Sequence, residues 1–277
     1  MKNNTLFHKT HRATTCRLAA SLVLFFVIGP VRETAASILA YEGFNYVVNQ
    51  PLSTMNGGIG WAPGTWTQIS GAMVDQSPTL SYPTALPSTG DALKTIASGS
   101  ASRPFLTPFS NAGSDLWVSF QELSAVGAVP GALVALQQTS ASLPDIEVNK
   151  DSGGAITLNG VPAGFSAGVG DVDFFLLQLV QWSGGNTLVN LFVDPPAVLG
   201  PPSASLLIPG PAFQAQNFHY QSNAGQELDE IRVGTAVTDV SAVPEPSTLT
   251  LLAAALMLAF APTRIFFASG LGTIRRL

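Results

Sequence analysis

Cysteine is almost missing from this chain of 277 residues: Cys16 is the only one. It sits ahead of an apolar run near the N-terminus, so everything after that run must fold without disulfides, thiolate nucleophiles or Cys-based metal sites. Histidine is nearly as scarce. His8 and His11 share the N-terminal segment with Cys16, which leaves His219 alone in the rest of the chain. A catalytic zinc site typically needs three protein ligands rich in His or Cys, so that chemistry is excluded as well. Charge is the third deficit, at 10% of residues against about 25% in an ordinary soluble domain. Charge-rich disorder and coiled coils both need the charges this sequence lacks. The formal net charge of -5 argues against a nucleic-acid partner, which would call for a basic patch. Between residues 37 and 242 no stretch of ten residues or more shows a 3.6-residue period, and no unit of 20 to 50 residues recurs, which argues against a propeller or solenoid.

What is present begins with two targeting segments. Lys2, Lys9, Arg12 and Arg17 precede an uncharged apolar run over residues 18–28, and Thr34, Ala35 and Ala36 follow. A basic start, a short apolar centre and small residues at the cleavage site predict a secretory signal peptide over residues 1–36, cut before Ser37. Eleven apolar residues are too few to span a bilayer. Cys16 lies before the run, where a lipoprotein cysteine would follow it. At the other end, Val243, Pro244, Glu245, Pro246, Ser247 and Thr248 lead into an apolar stretch over 249–261. Pro262 and Arg264 interrupt it, a second stretch covers 265–274, and Arg275 and Arg276 come near the end. Two prolines one residue apart forbid regular pairing, so the motif reads as an extended peptide before a hydrophobic helix. The positive-inside rule places Arg275 and Arg276 in the cytoplasm and the main domain outside. An arginine at the bilayer centre costs about 2.5 to 3.5 kcal/mol, so either the helix spans 249–274 with a tolerated charge or Arg264 is its cytoplasmic stop.

This C-terminal arrangement resembles the PEP-CTERM sorting signal of exported proteins in exopolysaccharide-making Gram-negative bacteria. Pro244, Glu245 and Pro246 match its recognition motif, residues from Leu249 its transmembrane helix, and Arg275 and Arg276 its basic end. The interruption at Pro262 and Arg264 departs from the family pattern of one helix of about 20 residues. The resemblance implies an exosortase as processing partner, membrane anchoring that is at least transient, and delivery to the cell envelope or extracellular matrix.

Residues 37–242 read as one domain of short strands separated by Gly, Pro, Asn and Asp clusters. Residues 116–121 alternate, with Leu116, Val118 and Phe120 on one face, as a strand with one side on a core does. Trp117 has the opposite phase and is expected to face outward or between elements. Residues 174–180 are nearly continuously apolar, which suits a central strand buried on both faces. Further strands are predicted at 92–96, 132–137, 155–158, 187–193, 217–220 and 228–233. Regular short strands with turn signals predict an all-β sandwich or barrel. Six prolines between Asp194 and Ala215 predict a surface loop there.

Three passages add a second resemblance: Tyr41-Glu42-Gly43-Phe44-Asn45-Tyr46 with Asn56-Gly57-Gly58-Ile59-Gly60-Trp61, then Ala101-Ser102-Arg103-Pro104-Phe105, then residues 227–234 around Asp229-Glu230. In this order they resemble PEP-CTERM proteins carrying a laminin-G-like, concanavalin-like jelly roll. The implied fold is a two-sheet antiparallel β-sandwich over residues 37–242, flanked here by the signal peptide and by the C-terminal sorting signal of residues 243–277, which comprises the motif, the hydrophobic helix and the basic end. The implied roles are adhesion or binding of exopolysaccharide or another glycan; glycan cleavage and a passive matrix role are the alternatives.

Concanavalin-like glycosidases place acids on alternate residues of one strand. Glu227 and Asp229 begin such a pattern, but Ile231 and Arg232 stand where its third acid belongs. These acids are therefore expected to form hydrogen bonds and ion pairs at the sandwich edge, with Glu230 on the opposite face, and no catalytic residue is assigned. Residues 164–168 match G-x-S-x-G, a motif that needs a following helix to expose the serine; a Gly-rich loop is expected instead. Asp145, Glu147, Asn149 and Asp151, with Asp171 and Asp173, offer oxygens suited to Ca2+. The plainer expectation is an edge strand with Ile146 and Val148 inward. No other cofactor is expected. Five of the 12 Lys and Arg lie in residues 1–36 and three beyond 248, against one of the 17 acids in these segments, so residues 37–248 carry a net charge of -12.

Overall fold

The computed structural model describes residues 37–76, 78–138, 144–181 and 185–242. The expected signal peptide and the C-terminal segment, with Pro244, Glu245, Pro246, Arg264, Arg275 and Arg276, lie outside the described residues. Among the described residues no helix is long and apolar enough to cross a membrane.

Every strand predicted from sequence forms. The strands among the described residues are β1 (Ile38–Glu42), β2 (Thr67–Gln76), β3 (Ala92–Ser110), β4 (Leu116–Ser124), β5 (Ala132–Gln138), β6 (Ile146–Lys150), β7 (Ala155–Leu158), β8 (Val161–Ser166), β9 (Val172–Gln181), β10 (Thr187–Val193), β11 (Ala204–Ile208), β12 (Gln214–Ser222) and β13 (Gln226–Gly234), followed by one helical turn, α1 (Val237–Val240). All pairings are antiparallel, in the order β11-β10-β9-β4-β13-β3-β12-β5-β6-β7-β8, with β1 added to β13 and β2 to β3.

The all-β expectation therefore holds, but the two layers are halves of one hydrogen-bonded sheet. The 19-residue β3 joins them: Leu93 and Lys94 pair with β13, and the stretch from Gly99 to Ser110 pairs with β12. Where β2 and β3 bend together, Gly71 (φ +71°) and Gly99 let the backbones touch; a Cβ on Gly71 would lie 2.6 Å from the Gly99 Cα. The far ends of the sheet also draw together, β11 lying against β7 and β8, so the sheet is nearly closed around its core.

The two-residue period of each strand decides what fills that core. Leu116, Val118 and Phe120 of β4, Phe175, Leu177 and Leu179 of β9, Val134 and Leu136 of β5, and Phe218 and Tyr220 of β12 all point inward. Burying a side chain of this size is worth roughly 1.5–3 kcal/mol. On the other face of β4 and β9 lies a second cluster of Trp117, Phe174, Leu176, Phe192, Val237 and Val240, covered by Tyr82, Ala85 and Leu199. That is why residues 174–180 are apolar almost without a break, and why Trp117 is buried between elements.

Two expectations need correction. The proline-rich stretch is not all loop: Ala204–Ile208 forms β11 against β10, since the six residues between Pro202 and Pro209 keep the amides a ladder needs. Residues 145–151 are not an edge strand either. β6 lies between β5 and β7; Ile146 and Val148 point inward as expected, and the same phase carries Lys150 into the interior.

Candidate functional site

The first two of the passages that carry the jelly-roll resemblance meet at one buried ion pair. Glu42 at the end of β1 meets Arg103 of β3, both side chains 2% exposed. The Glu42 carboxylate also accepts from the Tyr46 hydroxyl at 3.1 Å and the Phe44 amide at 3.2 Å, and the Arg103 guanidinium lies 5.2 Å from the centre of the Trp61 ring. Burial raises the Glu42 pKa, while Arg103 and these donors hold it down. Between them the 56–61 passage bonds to both neighbours: Tyr41 and Ile59 exchange amide hydrogen bonds, and the Leu106 amide donates to the Gly60 carbonyl. Gly60 has φ +76°, and a Cβ there would strike the Leu39 carbonyl. This constellation ties the N-terminal segment to the sheet.

Glu227 and Asp229 do not converge in a groove. Glu227 pairs with Lys94 at 3.1 Å. Asp229 is fully buried and accepts from the Thr79 hydroxyl at 2.7 Å and the Leu80 amide at 2.9 Å. Burial pushes its pKa up to about 8. Glu230 corrects the expectation of a regular strand: at φ 52° it forms a bulge that brings its carboxylate to the Thr89 amide (2.7 Å), the Tyr41 hydroxyl (3.0 Å) and Arg232 (2.6 Å). The three acids thus serve as hydrogen-bond and ion-pair partners, as expected. Asp229 and Glu230 fasten the irregular segment 78–91 over the second apolar cluster. They do so within the sheet, where β13 lies between β4 and both β1 and β3, and not at its edge.

The G-x-S-x-G passage is mostly strand: Ser166 ends β8, and the chain continues through Ala167 and Gly168 without a helix. Lys150 lies at the end of the core with its ammonium 3.0 Å from Glu122 and 3.7 Å from Asp173. Burial raises the pKa of both acids, that of Asp173 to about 7. Of the acids weighed for calcium, Asp173 is thus taken by Lys150, while Asp145 and Asp151 accept backbone amides. Among the described residues no group of three His, Cys, Asp or Glu side chains forms a metal site.

Two open pockets are present among the described residues: one of about 470 Å3 lined by Tyr82, Phe165, Asp171, Asp173 and Asp194 among others, and one on the outer face of the half formed by β2, β3, β12, β5 and β6. Register aligns one row of side chains across six strands: Ser70 opposite Ser100, then Gln221, Leu133, Asn149 and Thr157. One pleat along, Ser102, His219, Ala135 and Glu147 form a second row. Adjacent strands lie about 4.8 Å apart, so the first row runs for roughly 20 Å or more. At its centre is a groove of about 440 Å3, lined by Ser98, Ser100, Gln221, Leu133, Asn149 and Asn223 among others. Asn149 and Gln221 are exposed. His219 is half-buried, its pKa is lowered by burial, and its Nδ1 has no hydrogen-bond partner among the described residues. Sequence reasoning missed this row. Its signal, polar residues on alternate positions of β12 and β6, is visible, but which strands lie side by side is not. Trp61, Trp66 and Trp117 are all buried in the interior, which leaves their rings no place on this face.

No protein-family profile matches the chain, and no curated protein matches it. Among solved structures, an endo-beta-1,4-glucuronan lyase from the fungus Trichoderma reesei is 10% identical with a TM-score of 0.45, over 74% of this chain and 99% of the other. A protein of unknown function from Shewanella oneidensis MR-1 is 11% identical with a TM-score of 0.43, over 87% and 98%. Arcelin-5, a lectin-like defence protein from Phaseolus vulgaris, is 7% identical with a TM-score of 0.35, over 73% and 97%. At these values none of their activities transfers to this chain.

Proposed function

We propose that the chain is an exported, non-enzymatic glycan-binding protein on a concanavalin-like jelly roll, sorted by an exosortase through its C-terminal segment to the cell envelope or matrix. The observation that carries the binding reading is the outward row of hydroxyls and amides around the groove of about 440 Å3. Sugar hydroxyls both donate and accept, and amide side chains supply both functions without charge. Glycan cleavage by the acids of β13 would need two carboxyls facing an open cleft, whereas Asp229 is sealed under Thr79 and Leu80. Export and sorting rest on the two terminal sequence patterns.

A glycan array probed with the full-length chain in mild detergent tests the binding reading. We expect retention on at least one polysaccharide, and we expect the double change Asn149→Ala and Gln221→Ala to weaken it about tenfold or more, at about 0.5–1.5 kcal/mol per hydrogen bond lost. Both side chains are exposed, so the melting temperature should stay within about 1 °C of wild type. No binding to any glycan would favour a passive matrix component. For sorting, changing Pro244, Glu245 and Pro246 to alanine should leave the C-terminal tail uncut when the mature C-terminus is read by mass spectrometry. Normal processing of that variant would refute the exosortase assignment.

A further inference from the structure

Residues 37–242 contain only four cationic side chains, and each is already committed to a carboxylate. Lys94 pairs with Glu227 at 3.1 Å, Arg103 with Glu42, Lys150 with Glu122 at 3.0 Å, and Arg232 with Glu230 at 2.6 Å. Lys150, the one cation among the groove residues, has its side chain 1% exposed. Recognition of carboxylate, sulfate or phosphate groups relies on Arg or Lys, most effectively as a bidentate guanidinium. Freeing any of these four would strand a carboxylate partner in or near the interior. The field around the face has the same sign as a polyanion, since residues 37–248 carry -12 and Glu147 stands in the second row. At the groove itself, Gln221 and Asn149 flank Leu133 from the two neighbouring strands and so lie about 10 Å apart across it. That pattern offers hydrogen bonds on either side of one apolar contact.

We infer that the ligand of this face is a neutral glycan, read by uncharged hydrogen bonds, and that the face rejects polyuronates and other polyanionic polysaccharides. The inference rests on the glycan-binding reading above and deepens it. Selectivity of this kind comes from repulsion and from the absence of a free cation as much as from favourable contacts.

The experiment is titration calorimetry of the full-length chain in mild detergent, with neutral glucan and mannan oligosaccharides on one side and oligogalacturonate of matched length on the other, at low and high salt. We expect the neutral chains to bind at least about tenfold more tightly at low salt, with the gap narrowing as salt screens the repulsion. In a second arm, Asn149→Lys places an uncommitted ammonium at the groove and should raise oligogalacturonate binding about tenfold while weakening the neutral ligand. Oligogalacturonate bound by wild type as tightly as the neutral chains would overturn the inference and leave glycan binding standing. No binding of either class would overturn both. An Asn149→Lys chain with both affinities unchanged would also overturn it, by placing the ligand away from the groove.

Discussion

Replacing Arg103 by methionine should lower the unfolding free energy by about 3–5 kcal/mol, the usual cost of removing one partner from a buried ion pair. The carboxylate of Glu42 would stay in the interior, 2% exposed, with uncharged donors such as the Tyr46 hydroxyl and the Phe44 amide to satisfy it. For a domain of this size each kcal/mol moves the melting temperature by about 2–4 °C, so a drop of roughly 10 °C or more is expected in calorimetry. The double variant Glu42→Gln with Arg103→Met removes both charges, and it should recover part of the loss because no isolated charge remains. If the single variant fails to fold, a folded double variant makes the same point. A loss under about 1 kcal/mol would show that the aromatic packing of Trp61 and Trp66, and not the ion pair, fastens the N-terminal segment.

A second large effect is expected from pH. Lys150 can neutralise one carboxylate, and Glu122 at 3.0 Å is closer to it than Asp173 at 3.7 Å. Burial, with the charges of Asp194, Glu122 and Asp171 added, lifts Asp173 from its ordinary 3.8 to about 7 against the pull of Lys150. Between those two values the folded chain holds a proton that the unfolded chain has released. Stability from this group is therefore full below about pH 4 and declines as pH rises to about 7, at roughly 1.4 kcal/mol per unit, or a few kcal/mol in all. Asp229, raised to about 8, has the same sign and extends the decline. His219, whose pKa burial lowers, acts in the opposite direction below its ordinary value. Urea denaturation from pH 4 to 8 should show the fall in wild type and a flatter curve in Asp173→Asn. Parallel curves for the two would show that Asp173 ionises in the fold as freely as in the unfolded chain.

The strands were legible because each side chain of a strand reports one face. Leu116, Val118 and Phe120 alternate against Trp117, and the structure sends the two sets to two different cores. Phe174 and Phe175 announce a strand buried on both sides for the same reason. Lys150 was not legible. It continues the inward phase of Ile146 and Val148, but a lysine reads as exposed until its partners are known, and Glu122 and Asp173 come from β4 and β9, at least 23 positions away in the chain. The bulge at Glu230 was hidden too, because a positive φ in a non-glycine residue leaves no mark in composition.

By itself the sequence determined the all-β class, the positions of the main strands, the absence of cysteine chemistry beyond residue 16 and the acidic balance of the central domain. These follow from local periodicity and from counting, which need no partner residue. Only the tertiary structure decided that Glu42 meets Arg103, that Asp229 is sealed under residues 78–91, and that Ser100, Gln221, Leu133 and Asn149 share one row. Each of these depends on which strands lie side by side and in what register, and a register shift of one residue would turn every side chain of a strand to the opposite face.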